Sequence, residues 1–407
     1  MRYEDAVSFL FSQLPMFQRI GAAAYRADLS NTIALAKMTA NPEKEFKSVH
    51  IAGTNGKGSV SNLIASTFQE AGYKTGLYTS PHLKDFRERI RINGTPIDRD
   101  YVGTFVGKYR DTWKELNISP SFFEITVAMA FRYFADEKVD IAIIETGMGG
   151  RLDSTNIVLP ELSIITNVTL DHQQFLGATV ELIAAEKAGI IKVGVPIVLG
   201  PMLENASEVC QHKAIKLNAP VYLAQNKVEN LPKTDLAGEF QIENRNTAYT
   251  SLEVLRKLGW NIQEEHIQQG FSSVRKNTGL RGRWEVLGEK PLIVADCGHN
   301  EAGIRTVVHE IEKQNFKDLH FVFGMSADRD AGIILALLPK KASYYFCKPD
   351  LPRGLDANEL QQHASQYGLK GEAYESVAKA YTAARLYSSS DDMIFIGGSF
   401  FVVAEIL

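Results

Sequence analysis

The sequence predicts an α/β protein with two sheets. The first is doubly wound and mostly parallel and carries a phosphate loop; a smaller α/β domain follows it. Three observations lead there. Short Val/Ile/Leu runs alternate with longer stretches of helical periodicity, as expected of parallel strands covered on both faces. The first run, Val49-His50-Ile51-Ala52, feeds a glycine-rich loop and then an amphipathic segment from about Ser59 to Ala71. The alternation breaks at a polar stretch near Lys276 to Arg283, then resumes for about 125 residues, enough for a separate domain.

In chain order, Thr75–Thr79, Val139–Ile144, Leu162–Thr166, Val195–Leu199 and Val221–Leu223 read as further strands of the first sheet. The segment from Arg89 to Gly94 alternates in polarity and ends on Asn93-Gly94, so a small antiparallel excursion with a tight turn is expected. Beyond the break, Leu292–Ala295, His320–Phe323, Tyr344–Cys347 and Met393–Ile396 are strands, with helices between them such as Ala302 to Glu312. The expected domains are 1–282 and 283–407, the second Rossmann-like.

The chain has 407 residues, 45% hydrophobic and 23% charged, which suits a globular protein whose core needs no disulfide or structural metal. A formal net charge of -4 argues against a surface built for nucleic acid. Cys210, Cys297 and Cys347 are odd in number and far apart; they fit neither a disulfide framework nor a zinc ribbon and suit a reducing compartment. The first residues carry acids and no uninterrupted apolar core, so no signal peptide is expected. No apolar run reaches the roughly 18 residues of a membrane span. A cytoplasmic protein with no membrane or nucleic-acid partner is the expectation.

The glycine-rich loop is Gly53-Thr-Asn-Gly-Lys-Gly-Ser59. Its glycines permit a tight turn that turns backbone N–H groups toward phosphate oxygens, and the following helix adds the partial positive charge of its N-terminus. Asn55, Gly56, Lys57, Gly58 and Ser59 are the nucleotide candidates, with Lys57 reaching the terminal phosphates and Ser59 offering a hydroxyl to the phosphate–metal cluster. The spacing departs from the common pattern. Ile51 stands five before Gly56, and Gly58 separates the lysine from the serine. The bland alternative is a glycine-rich connection with a chance lysine, and the strand–loop–helix context argues against it.

Three more strands end in polar segments. Thr79-Ser-Pro-His-Leu83 follows the second, Glu145-Thr-Gly-Met-Gly-Gly-Arg-Leu-Asp153 the third and Asn167-Val-Thr-Leu-Asp-His172 the fourth. Ligand sites in doubly wound sheets lie at the carboxyl ends of strands, so these segments should converge on the phosphate loop. Ser80, Glu145 and His172 would supply a hydroxyl, a carboxylate and an imidazole. Mg²⁺ takes hard oxygen ligands and keeps several waters, so the first two suit it better than the third. Singly, each residue has an ordinary reading as a strand-end polar group. Lys187, in Glu186-Lys187-Ala-Gly-Ile-Ile-Lys192, reads on its own as a surface helix lysine.

Together GTNGKGS, TSPHL, SFFE, IETGMGGRLDSTN, LDH, EKAGI, LRGRWE, DCGHN and the terminal GGSFFVVAE resemble the folylpolyglutamate synthase/dihydrofolate synthase family, a branch of the Mur ligase superfamily. The match runs in order from about His50 to the C-terminus. It implies an amide-bond ligase that uses ATP and Mg²⁺, two ions by expectation, with K⁺ a further candidate ion. Dihydropteroate or folate and L-glutamate are the implied substrates, and a monomer is implied. By position, Ser80, Glu145 and His172 match the magnesium ligands. Lys187 matches a lysine that this family carboxylates, and a carbamate explains a lysine beside Mg²⁺. Asn244 resembles the adenine-side asparagine, Arg283 an interdomain arginine that reaches the ATP phosphates, and Asp296 a ribose-side acid. His299 and Asn300 fall on the glutamate-facing loop. Phe122, Phe123, Glu124 and the Gly150-Arg151-Leu-Asp153 loop match the pterin-substrate positions. Lys57, Lys187 and His172 are the catalytic candidates, and closure of the two domains is implied to exclude water.

The chain also departs from the family pattern. Cys297 stands within Asp296-Cys-Gly-His-Asn300, as a packed small hydrophobe or a reactive thiol. Leu280-Arg-Gly-Arg283 replaces a Pro-Gly-Arg run, so Arg281 competes with Arg283. The segment from Phe346 to Gly354 resembles bifunctional bacterial members. Two alternatives stand beside this reading: a cell-wall Mur-type ligase, which usually carries an extra N-terminal domain, and a P-loop NTPase switch, which needs neither the second domain nor the Asp296–Asn300 loop.

Overall fold

The structure, a computed structural model, describes residues 1–16, 28–115, 118–224, 228, 230–327 and 329–407. The chain forms two compact units. The first takes the chain up to Asp235 together with Gln241–Leu280, and the second takes Arg281–Leu407 with the short Leu236–Phe240 segment.

The first unit holds β1 (Lys47–Ala52), β2 (Thr75–Tyr78), β3 (Ile90–Ile92), β4 (Thr95–Pro96), β5 (Ile141–Glu145), β6 (Leu162–Ile165), β7 (Ile197–Leu199) and β8 (Val221–Leu223). They form one sheet in the order β4-β3-β2-β5-β1-β6-β7-β8. Strands β2, β5, β1, β6, β7 and β8 run parallel. Strands β3 and β4 are antiparallel, the excursion expected from Arg89 to Gly94. All five residues of β5 are buried, as are the last five of β1. That burial on both faces is why these strands read as continuous apolar runs. β1 lies between β5 and β6, so the chain leaves β1 toward one side of the sheet and later returns on the other. Doubly wound sheets place their ligands at such a reversal, which here falls at the carboxyl ends of β1, β5 and β6.

The Lys57–Glu70 helix begins directly after Gly56, and its residues from Ser59 to Phe68 are all buried. It packs against the sheet and against the helices Gln241–Lys257 and Glu264–Ser272. The crossing with the latter is close: a Cβ at Gly270 would fall 2.6 Å from the Thr67 Cα, and Ser66 Oγ donates to the Gly270 carbonyl at 2.6 Å. Gly270→Ala is expected to destabilise the unit by about 1–3 kcal/mol through overpacking. A thermal midpoint equal to that of the unmodified protein would show that the crossing can relax.

The second unit holds β9 (Glu285–Glu289), β10 (Leu292–Ala295), β11 (Leu319–Phe323), β12 (Ser343–Cys347), β13 (Lys370–Tyr374) and β14 (Met393–Gly397), ordered β13-β12-β11-β14-β10-β9. All pair in parallel except β9, which is antiparallel to β10. Its core is aromatic: Phe321 lies edge-on to Phe395 at 4.9 Å, and Tyr344 stacks on Phe346 at 5.4 Å. Strands β9 and β13 were not read from the sequence. Both are edge strands whose exposed faces carry charge (Glu289, Lys370, Glu372), so neither shows the apolar run of a central strand. Among the described residues no helix is long and apolar enough to cross a membrane.

Candidate active site

The phosphate loop leaves β1 at Gly53 and is held from the β6 side. Asn55 donates its N–H to Asn167 Oδ1 at 2.8 Å, Thr166 Oγ1 donates to the Asn55 carbonyl at 2.6 Å, and Thr54 N–H donates to the Asn167 carbonyl at 3.0 Å. Gly56 has φ +82°, and a Cβ there would lie 2.2 Å from Asn244 Oδ1. Asn244, predicted from a distant part of the sequence, therefore stands against the phosphate loop. Its Nδ2 donates to Gln241 Oε1 at 2.9 Å, which turns its oxygen toward Gly56. Gly58 accepts Asn62 Nδ2 at 2.7 Å, and Ser59 is buried in the first helical turn. Gly56→Ala combines a left-handed backbone with this contact, so ADP should bind at least about tenfold more weakly, roughly the 1.4 kcal/mol of a single decade. Calorimetric titration with ADP checks it; unchanged affinity would mean that the loop tolerates a side chain.

Lys57 Nζ donates to the carbonyls of Gly53 at 3.0 Å and Thr54 at 3.2 Å. Lys187, whose local pattern alone reads as a surface helix lysine, is 3% exposed, and its Nζ donates to the same Gly53 carbonyl at 2.8 Å. Burial, with the neighbouring Lys57, pushes the Lys187 amine down to about 7; Asp171 and Asp153 oppose this. Glu145 closes β5 beside Ile51 of β1, is 5% exposed, and its Oε2 accepts the Ser80 N–H at 3.2 Å. Ser80 and Glu145 are thus brought together. His172 has φ +50° and precedes the Gln173–Leu176 turn, with its Nε2 3.9 Å from Asp171. Asp171 links His172 to Lys187 through space and was not singled out in the sequence. Its only signal there was its place next to His172.

The chemistry of the donors fits a divalent metal. A carboxylate held by the backbone of the serine that follows β2, next to a loop built for phosphate oxygens, offers the hard oxygen donors that Mg²⁺ takes alongside its waters. Among the described residues no cluster of three or more His, Cys, Asp and Glu gathers in metal-ligand fashion. Lys187 as an amine adds no oxygen; a carbamate on it would.

The predicted pterin positions divide. Phe122 is buried in the core, 5.1 Å from Phe11 and under the Arg89 guanidinium. Glu124 forms a capping box with Ser121, accepting its N–H at 2.6 Å while Ser121 Oγ accepts from Glu124 N at 3.2 Å. The S-x-x-E spacing of Ser121 to Glu124 signals that role in the sequence. Asp153 is 6% exposed and accepts N–H groups from Gly147, Met148 and Thr155 and the Thr155 hydroxyl. Both carboxylates are engaged in shaping backbone. Phe123 is half-buried against Gly147, where a Cβ would meet its ring at 2.5 Å. Gly150 packs on the Lys187 carbonyl, and Arg151 is exposed and pairs with Glu186 at 2.9 Å. Phe123 and Arg151 thus keep their side chains nearest the surface of the loop.

In the second unit, Asp296 Oδ2 accepts the Trp284 N–H and Oδ1 accepts the Gly298 N–H, each at 2.7 Å. Burial raises its carboxyl above the ordinary value, with Arg283 opposing. Arg283 is therefore placed beside Asp296. Arg281 is committed elsewhere, pairing with Glu285 at 2.7 Å. His299 Nδ1 lies 2.9 Å from the Cys297 carbonyl and donates to it, since a carbonyl only accepts. Asn300 Oδ1 caps the Glu301–Glu312 helix through Gly303 N at 2.8 Å. Cys297 is buried against Gly282 and its thiol is pushed up to about 12 by burial, so it packs as a small hydrophobe and is not poised as a nucleophile.

A glycine loop after a central parallel strand, two lysines on one of its carbonyls and a separate α/β unit define a Mur-type ATP-dependent ligase. The profile of the Mur ligase middle domain matches residues 51–197, and that of the Mur ligase glutamate ligase domain matches 282–400. The chain is 33% identical to the dihydrofolate synthase/folylpolyglutamate synthase of Bacillus subtilis, over 99% of this chain and 98% of that protein. It belongs to the folylpolyglutamate synthase/dihydrofolate synthase family. It is also 32% identical to a probable bifunctional folylpolyglutamate synthase/dihydropteroate synthase of Haloferax volcanii, of which it spans 50%. Among solved structures it superposes on E. coli FolC in complex with DHPP and ADP with a TM-score of 0.87 at 27% identity, covering 100% of this chain and 97% of that one. The Yersinia pestis bifunctional enzyme with Mn, AMPPNP and L-glutamate bound gives a TM-score of 0.83 at 27% identity, covering 100% of this chain and 97% of that one.

Proposed function

We propose that the chain joins L-glutamate to the carboxylate of dihydropteroate and of reduced folates, consuming ATP. The observation that carries this reading is the meeting of Lys57 and Lys187 on the Gly53 carbonyl, at the strand ends where Glu145 receives the Ser80 N–H. In this reading the acceptor carboxylate attacks the γ-phosphorus, ADP departs, and an acyl phosphate forms. The glutamate amine then attacks the acyl carbon, loses its proton, and phosphate leaves the tetrahedral intermediate. The loop N–H groups and Lys57 hold the phosphates and offset their charge. Ser80, Glu145, His172 and a carboxylated Lys187 are the residues that would hold two Mg²⁺ ions. When bound, Mg²⁺ neutralises phosphate charge and polarises the transferred phosphoryl group. Asn244, Arg283 and Asp296 serve the nucleotide, and His299 and Asn300 serve glutamate. Phe123 and Arg151 are the pterin contacts best supported by their exposure, with Phe122, Glu124 and Asp153 acting behind them. K⁺ as a further ion, a monomeric state and a cytoplasmic location complete the reading; three buried, unbridged cysteines suit a reducing compartment.

The test is ADP release from purified protein with ATP, Mg²⁺, glutamate and either dihydropteroate or tetrahydrofolate, run side by side. Release that needs both glutamate and an acceptor is expected, with both acceptors used. Equal release when either is left out would favour an acceptor-independent NTPase. The cell-wall ligase alternative is disfavoured by the family to which the chain belongs.

A further inference from the structure

His50, which none of the assignments above uses, is tied to the candidate site by hydrogen bonds. It lies in β1, wholly buried, with Nε2 2.8 Å from Thr155 Oγ1. Thr155 Oγ1 is 2.5 Å from Asp153 Oδ1, which also accepts the Thr155 N–H at 3.0 Å. Asp153 Oδ2 accepts the N–H groups of Gly147 and Met148 at 2.8 and 2.9 Å.

The donors fix the direction of this chain. Backbone N–H groups can only donate, so the Asp153 oxygens accept. The threonine hydroxyl has one hydrogen, which it gives to Asp153, so it accepts from His50. Nε2 therefore carries a proton, and Nδ1, buried with no hydrogen-bond partner among the described residues, favours the neutral ring over the doubly protonated one. Burial, together with the Lys192 charge, drives His50 the same way, down to about 3.

The other end of the tethered segment meets Lys187. Arg151 N–H donates to the Glu186 carbonyl at 2.8 Å, and a Cβ on Gly150 would lie 2.8 Å from the Lys187 carbonyl. Asn156 Nδ2 clamps the same place through the carbonyls of Arg151 and Gly189, both at 3.1 Å. Residues 147–151 thus run from just beyond Glu145 to the end of the helix that bears Lys187.

We infer that His50 and Thr155 are positioning residues: acting through Asp153, they set the course of residues 147–151 and so the placement of Glu145 and Lys187 for a divalent metal. The inference rests on the metal-site reading given above. Groups behind metal ligands commonly change metal affinity by about 10–100-fold when removed.

The test uses two broken links and two conservative ones. Thr155→Val keeps the shape and removes the hydroxyl, while Thr155→Ser keeps the hydroxyl. His50→Leu removes the ring N–H, while His50→Gln keeps an N–H donor near the Nε2 position. Mn²⁺ binding in the presence of AMPPNP is followed by electron paramagnetic resonance, and amide hydrogen exchange is followed over residues 147–151. Thr155→Val and His50→Leu should each weaken Mn²⁺ binding by about tenfold and speed exchange in that segment. Thr155→Ser and His50→Gln should stay within about twofold of the unmodified protein. Unchanged Mn²⁺ affinity in both broken variants overturns the proposal, and so does faster exchange with unchanged affinity, which would make the network a fold support only. If Thr155→Val fails to fold, the His50 pair carries the same comparison. Neither readout depends on ligation, so the answer stands apart from the outcome of the ADP-release test.

Discussion

Lys187→Ala is expected to abolish glutamate ligation, with turnover falling by at least about 10³-fold, the scale of losing a major charge-stabilising group. The lysine is buried, its Nζ shares the Gly53 carbonyl with Lys57, and Asp171 and Asp153 lie within electrostatic reach. Two cationic amines held so close in a buried site repel each other, and burial favours the uncharged form of the inner one. An uncharged amine is the form that adds carbon dioxide. The resulting carbamate would replace a cation with an anionic oxygen ligand. Steady-state turnover measures the loss, and carbon-13 NMR of protein equilibrated with labelled bicarbonate looks for the carbamate directly. An alanine variant that turns over at a near-normal rate would leave Lys187 without a part in the chemistry.

Glu145→Gln carries the second largest effect. The amide keeps the volume of the side chain and an oxygen for the Ser80 N–H, so the end of β5 should hold its course. What it loses is the negative charge, and a neutral amide binds Mg²⁺ poorly. Turnover should drop by about 10²-fold, and the Mg²⁺ concentration for half-maximal rate should rise with it. A Mg²⁺ titration that superimposes on that of the unmodified protein would place Glu145 outside the metal site.

Much of the first unit was legible because its central strands are buried on both faces. Val139–Ile144 and Leu162–Thr166 read as parallel strands covered on both faces, which placed the glycine loop at their carboxyl edge, and Ile141–Glu145 and Leu162–Ile165 are such strands. The edge strands of the second unit, Glu285–Glu289 and Lys370–Tyr374, escaped notice because solvent permits charge there. The short Leu236–Phe240 segment that belongs with the second unit was also hidden. It is tied there by the Glu239 N–H to Glu310 Oε1 at 3.0 Å, by the Lys313–Glu239 ion pair and by Phe240 packing on the core, contacts that no periodicity announces.

Within the site, residue type was more legible than orientation. A glutamate at the end of a strand and a lysine in a loop can be named from sequence. Whether a carboxylate faces a ligand or its own backbone depends on hydrogen bonds formed after folding. Asp153 shows this: its position suggested a substrate contact, yet four donors from its own loop occupy its oxygens. His50 shows the converse. A histidine in an apolar strand reads as core, and only the folded chain brings Thr155 to its ring.

The most direct test of the site is a crystal of this protein grown with AMPPNP and Mn²⁺, with the metal located by anomalous scattering. The prediction is a metal in direct contact with a Glu145 carboxylate oxygen and the Ser80 hydroxyl, beside the nucleotide phosphates. A metal bound elsewhere, with Glu145 and Ser80 touching only protein, would contradict it.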